Sequence, residues 1–118
     1  MGNKVQTIET NDKTRYHAAA VLASNHVVAL YSLAAKELQK CGFNEEDANR
    51  ALAPLLLGNA KNIAQDGPVA ALTGPAERGD NKTISKHLAT LDGRVKNVYQ
   101  LLNEEALELA MQKHATGN

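Results

Sequence analysis

From residue 12 to about residue 40 apolar side chains recur at helical spacing, with only scattered polar residues between them. Val21, Leu22, Val28, Ala29 and Ala35 form one stripe, and Ala19, Ala23, Val27, Leu30 and Ala34 form a second. An apolar surface wider than one stripe predicts a helix covered on two sides. Asn11 or Asp12 suits its N-cap, and Gly42 suits the left-handed position after its end. The predicted helix is roughly 29 residues, about 43 Å, which is long for a small globule.

Asn44 opens a second predicted helix, with acidic residues in its first turn. It carries RALAPLLLGNAKNIA and should end near Asp66–Gly67, with Pro54 kinking or dividing it and Gly58 a further weak point. Pro68 can begin a short helix, PVAAL, because proline is tolerated at a first helical position. Gly74–Pro75 then breaks the chain, and Asp80 starts NKTISKHLATL, with Ile84, His87, Leu88 and Leu91 on one face. After Asp92–Gly93 a last helix runs over about residues 94 to 113, where Val95, Val98, Leu101, Leu102, Ala106, Leu109 and Ala110 repeat at helical spacing. No stretch alternates with period two, so the expected fold is all-α, a helical bundle with one long N-terminal helix. Residues 1–11 read as a flexible N-terminal segment, 12–113 as a single helical domain and 114–118 as a frayed tail.

Composition narrows the picture. The 118 residues suffice for one core, and with 3% aromatics and no Trp, Ala, Leu and Val must fill it. The 13 basic and 13 acidic residues cancel, which argues against nucleic acid as a partner. The single cysteine, Cys41, excludes an intrachain disulfide and a cysteine-clustered zinc site, and points to a reducing, cytoplasmic compartment. Residues 16–35 could span a bilayer by length, but two His, an Asn and two Ser favour burial in protein over a membrane. The apolar surplus of the first helix predicts a homodimer.

Candidate chemistry is sparse. The stretch TGPAERGD, residues 73–80, reads first as a helix connector and second as a loop in which free N–H groups and Arg78 hold a carboxylate or phosphate. His17 reads as a hydrogen-bonded helix histidine or, less simply, as an acid–base group. Asn25 lies at i+8 from it and would share its face. His17, His26, His87 and His114 lack metal-ligand spacing, so no metal is expected, and no phosphate loop or nucleophile motif is present.

YHAAAVLASNHVVAL (16–30), PLLLGNAKNIAQDGPVAALTGPAERGD (54–80) and HLATL (87–91) together resemble one family over about residues 12–112. It is the helical C-terminal domain of unknown function that lies behind a Rossmann-like NADP oxidoreductase half. The wider superfamily is similar to the C-terminal domains of 6-phosphogluconate dehydrogenase, ketopantoate reductase and pyrroline-5-carboxylate reductase. The resemblance implies a 6-phosphogluconate-dehydrogenase-like helical fold that closes an active-site cleft and dimerises. It would put His17, as a catalytic residue, and Asn25 on the cleft face of the long helix, with Thr73, Gly74, Pro75, Arg78 and Asp80 at the rim. The hydroxyacid dehydrogenases carry a lysine four residues before the asparagine. Here that position is Val21, so a lysine mechanism does not transfer. No strand–glycine loop–helix unit is present, so NADP or NAD is expected only with a Rossmann domain supplied in cis or in trans, and no cofactor on this chain alone. The substrate would be an unidentified small molecule. The alternative is a stand-alone, non-enzymatic helical dimerisation or interaction module.

Overall fold

The computed structural model describes residues 10–115, with side chains from Asp12 onward. The expectations for residues 1–9 and 116–118 lie outside the described residues. Among the described residues the fold is all-α, with no strand. Its elements in order are α1 (Thr10–Ala23), α2 (Asn25–Lys40), α3 (Glu45–Ala71), α4 (Pro75–Arg78), α5 (Asn81–Thr90) and α6 (Gly93–Ala115). Contacts divide the chain into two compact units, Met1–Asn49 and Arg50–Asn118, and each is described by itself.

In the first unit the long helix expected from residue 12 to 40 is divided at Ser24. The Ser24 hydroxyl donates to the Ala20 carbonyl at 2.6 Å, and the Ser24 N–H reaches Val21 O at 3.3 Å. A serine bonded back to its i−4 carbonyl competes with the backbone ladder and bends the helix. The Ser24 dihedrals, φ −124° and ψ −74°, lie outside the helical range. The start also differs from expectation: α1 begins at Thr10, so Asn11 and Asp12 lie inside its first turn rather than capping it.

The end of α2 follows the sequence reading. Gly42 has φ +99°, its N–H bonds Gln39 O at 3.0 Å, and the Phe43 N–H bonds Leu38 O at 3.2 Å. This pair of bonds is a Schellman motif, which satisfies carbonyls that the last helical turn leaves open. Asn44 then caps α3 through its Oδ1, which accepts the Asp47 N–H at 2.7 Å. Glu45, Glu46 and Asp47 place negative charge at the positive end of the helix dipole. The Tyr31 hydroxyl donates to Asn49 Oδ1, tying α2 to the first turns of α3. No residue from Asp12 to Lys40 is buried, so neither apolar stripe is covered on the two sides expected. Asp12–Lys40, 29 residues with a mean hydropathy of 1.5 in its most apolar window, has the length and composition to cross a membrane; core helices of water-soluble proteins share both properties.

In the second unit α3 keeps helical dihedrals through Pro54 and Gly58, so Pro54 does not divide it; the break falls at Gly67, with φ +84° and ψ +167°. The missing proline N–H costs about 3 kcal/mol, and the strong helix formers on both sides of Pro54 carry the helix across. Pro68 restarts one short turn after Gly67, as the sequence predicts. The small core is built from Ala71, Ala76, Ile84 and Ala110, which bring α4 and α5 onto α6. Small alanines at these positions let the backbones approach closely. α6 continues to Ala115, so His114 and Ala115 are helical rather than frayed.

Candidate functional site

Residues 72–80 run from the end of α3 through the short helix α4 to the start of α5, and their local chemistry explains their shape. The Leu72 N–H bonds Pro68 O at 3.1 Å and closes the short turn. Its C-terminal carbonyls are then capped from α6: Lys113 Nζ donates to Leu72 O at 2.9 Å and to Ala70 O at 3.3 Å. A cation at these carbonyls opposes the negative end of the turn. Gly74, with φ +93° and ψ −172°, occupies a region open essentially to glycine. Pro75 opens α4, and the Arg78 N–H returns to Gly74 O at 3.2 Å.

α4 ends in a second Schellman motif. Gly79, at φ +70°, donates to Ala76 O at 3.3 Å, and the Asp80 N–H donates to Pro75 O at 2.8 Å. The Asp80 carboxylate then caps α5, with Oδ1 accepting the Thr83 N–H at 3.1 Å and Oδ2 accepting the Thr83 hydroxyl at 2.7 Å. The Thr83 hydroxyl, then the Thr83 N–H, hold the Asp80 carboxyl below its ordinary range, assisted by Arg78 and Lys86. His114 Nε2 lies 3.3 Å from Glu77 Oε2 and adds a second tie from α6 to this segment. TGPAERGD is thus a connector whose geometry is fixed by two glycines, a proline and an aspartate cap. Its exposed members, Thr73 and Arg78, are the side chains it presents to solvent.

The remaining residues expected at a site lie in the first unit. His17 is exposed on α1 and Asn25 is exposed at the start of α2. The break at Ser24 falls between them, so the regular i+8 phase that would align them on one helix face is interrupted. Asn25 Oδ1 lies 3.1 Å from the Ser24 hydroxyl. The second unit also holds a pair that sequence reading did not assemble. His87 Nδ1 lies 2.8 Å from the Tyr99 hydroxyl, with the rings edge-on at 85° and 5.7 Å between centroids. Burial raises the Tyr99 pKa, which favours the protonated phenol. The contact fixes the orientation of the exposed His87 ring on α5. The sequence signal was the place of His87 one turn after the buried Ile84, on the face that turns toward α6.

The residues present do not fit a nicotinamide dinucleotide. Its pyrophosphate needs a strand, a glycine-rich turn and a helix N-terminus in succession. Here the positive-φ glycines, Gly42, Gly67, Gly74, Gly79 and Gly93, all mark helix boundaries, and no strand precedes any of them among the described residues. Nor does any group of three or more His, Cys, Asp or Glu side chains among the described residues have the arrangement to hold a metal ion.

Comparison with known families finds a match over residues 1–106 to the family described as "Domain of unknown function (DUF2520)", and the chain belongs to that family. No curated protein and no solved structure matches the chain.

Proposed function

We propose that this DUF2520 domain is the substrate-binding and dimerisation half of an NAD(P)-dependent oxidoreductase. It works as a homodimer in the cytoplasm, with a Rossmann-type domain joined to it or supplied in trans. The fold would be that of the C-terminal domain of 6-phosphogluconate dehydrogenase and its relatives. The observation that carries the association is the uncovered apolar surface of α1 and α2. Tyr16 is 68% exposed, Leu22 61% and Val28 71%, on helices with no buried residue. Side chains of this kind, repeated over two successive helices, mark an interface. In this reading His17 and Asn25 face the substrate, and Thr73, Gly74, Pro75, Arg78 and Asp80 shape the rim. Asp80 acts there through its cap on Thr83, which fixes the start of α5 two residues after Arg78. Nicotinamide chemistry belongs to the Rossmann domain.

Two measurements test this. Sedimentation equilibrium at micromolar concentration should give the mass of two copies; a mass near 12.6 kDa would count against the dimer. Fluorescence titration of the full-length natural protein with NADPH should show binding, and no binding would remove the oxidoreductase.

A second reading is a non-enzymatic helical association module. It is favoured by the Asp80 carboxylate, whose two oxygens are both engaged by Thr83, and by the solvent exposure of His17 and Asn25. The natural reading frame discriminates: an upstream strand, a Gly-x-Gly-x-x-Gly turn and a helix support the enzyme, and their absence supports the module.

A further inference from the structure

The sequence holds two Asp–Gly pairs, Asp66–Gly67 and Asp92–Gly93, and the fold gives them different chemistry. Glycine has no side chain to hinder its own amide nitrogen as that nitrogen approaches the preceding carboxyl. Ring closure between the two needs a nitrogen free of hydrogen bonds, a carboxyl free to reach it, and a backbone able to turn.

Asp92–Gly93 meets all three conditions. α5 ends where Leu91 turns to extended backbone, φ −77° and ψ 152°, with its N–H on His87 O at 2.9 Å. Asp92 follows between the helices, and Gly93 has φ +62°. The first N–H groups of a helix have no partner within it, and the Gly93 N–H makes no backbone hydrogen bond among the described residues. Asn44 and Asp80 engage their side chains as caps, but Asp92, at the corresponding place before α6, bonds nothing among the described residues. Asp92 and Gly93 are both exposed, so water reaches them. A Cβ on Gly93 would meet no atom within 4 Å, so a ring has room. Asp66–Gly67 carries the same two residues inside α3. There Asp66 keeps helical dihedrals, the non-helical residue of that span being Gly67. A helical ladder holds each amide beyond the first turn to the carbonyl four residues back.

We infer that Asp92 is a site of spontaneous covalent modification, isomerising to isoaspartate through a cyclic imide with Gly93. The Gly93 nitrogen bonds to Asp92 Cγ, and the hydroxyl of the protonated carboxyl leaves with the nitrogen's proton as water. A water molecule then opens the ring. Attack at Cγ restores aspartate. Attack at the original backbone carbonyl breaks its bond to nitrogen, which regains a proton, and leaves that carbonyl as a pendant carboxyl. One water leaves and one returns, so no oxidant or reductant is needed. The main chain now runs through Asp92 Cβ and Cγ, one atom longer than before. That atom enters the short connector between α5 and α6, whose length sets how His87 Nδ1 meets the Tyr99 hydroxyl at 2.8 Å. The modification therefore loosens α5 on α6 as the protein ages.

The test incubates the full chain at neutral pH over weeks, native and in guanidinium. Isoaspartate is then mapped in digested peptides by methyl transfer from a protein isoaspartate methyltransferase. The native chain should label at Asp92 at least about fivefold above Asp66, the factor that one backbone hydrogen bond represents. The denatured chain, where no helix protects Asp66, should label at both. Asp92→Glu keeps the charge and Gly93 but would need a six-membered ring, so its label at this site should be lost. A native chain without label at Asp92, or with as much at Asp66, overturns the inference. The isomerised fraction, separated by chromatography, should also show changed nitrogen chemical shifts at His87. Unchanged shifts there would overturn the loosening of α5 on α6.

Discussion

Replacing Gly74 and Gly58 by alanine isolates the backbone contribution of the 72–80 segment, because the two substitutions are chemically identical and should act in opposite directions. At neither glycine does an added Cβ meet any atom within 4 Å, so packing drops out of both. Gly74 has φ +93° and ψ −172°, a conformation that costs a residue with a Cβ of order 1–3 kcal/mol. Reduced freedom of the unfolded chain returns about 0.4–1 kcal/mol, which leaves a net loss of about 1–2 kcal/mol. Gly58 lies inside α3 with helical dihedrals, where alanine gains about 0.5–1 kcal/mol. The unfolding entropy of a chain of 118 residues, at about 2.1 cal/mol/K per residue, is about 0.25 kcal/mol/K. Gly74→Ala should therefore lower Tm by about 4–8 °C, and Gly58→Ala should raise it by about 2–4 °C. Both are read by circular dichroism melts at one fixed protein concentration, since association shifts Tm by mass action. Shifts of the same sign, or no loss in Gly74→Ala, would refute the claim that left-handed backbone geometry holds this loop.

Four further outcomes follow from the same structure. The Asp80 carboxyl is held below its ordinary pKa of about 3.9, so its contribution is present above that value and lost as pH falls through the folded pKa; the Tm gap between wild type and Asp80→Ala should be open at neutral pH and close in strong acid. Spectrophotometric titration at phenolate wavelengths should show a tyrosine ionising above the ordinary range, and Tyr99→Phe should remove that phase and change the nitrogen chemical shifts of His87, which loses its partner at Nδ1. Lys113→Met should cost about 1 kcal/mol and speed hydrogen exchange at residues 70–74, whose carbonyls it now caps at Ala70 and Leu72, without changing exchange in α2. Ser24→Ala removes the hydroxyl bonded to Ala20 O and should raise helical ellipticity by joining α1 to α2.

The sequence was most legible where one residue type decides the local geometry. Gly42 at a helix end, Asn44 and Asp80 at helix starts, and the Gly67–Pro68 stop-and-restart all follow from rules that involve only neighbours within one turn. Ser24 escaped notice because serine in mid-helix has a nearly neutral propensity; its effect comes from the rotamer that reaches the Ala20 carbonyl. Pro54 misled in the opposite direction. Its intrinsic penalty is real, but the flanking leucines and alanines outweigh one missing hydrogen bond, and the helix passes through. The candidate site shows the same boundary. The shape of residues 73–80 is readable from their glycines, proline and aspartate. The pairing of His87 with Tyr99 depends on how α5 meets α6, and the 12 residues that separate the two carry no local sign of it.

What a local pattern does not specify is which face of a helix is covered, and here that omission carries functional weight. The second unit closes a small core of alanines around Ile84, yet the largest aliphatic side chains of α1, α2 and the middle of α3 stay outside it. The loop of residues 72–80 behaves oppositely: its hydrogen bonds are internal, running within the segment or to the facing end of α6, so it has its shape before any partner arrives. A preformed loop of this kind supplies its own backbone geometry without help from any partner. It follows that Leu22→Glu, a change on the exposed surface of α1, should leave hydrogen exchange at residues 74–80 unchanged. If the loop loosens in that variant, Gly74, Asp80 and Lys113 are insufficient to hold it.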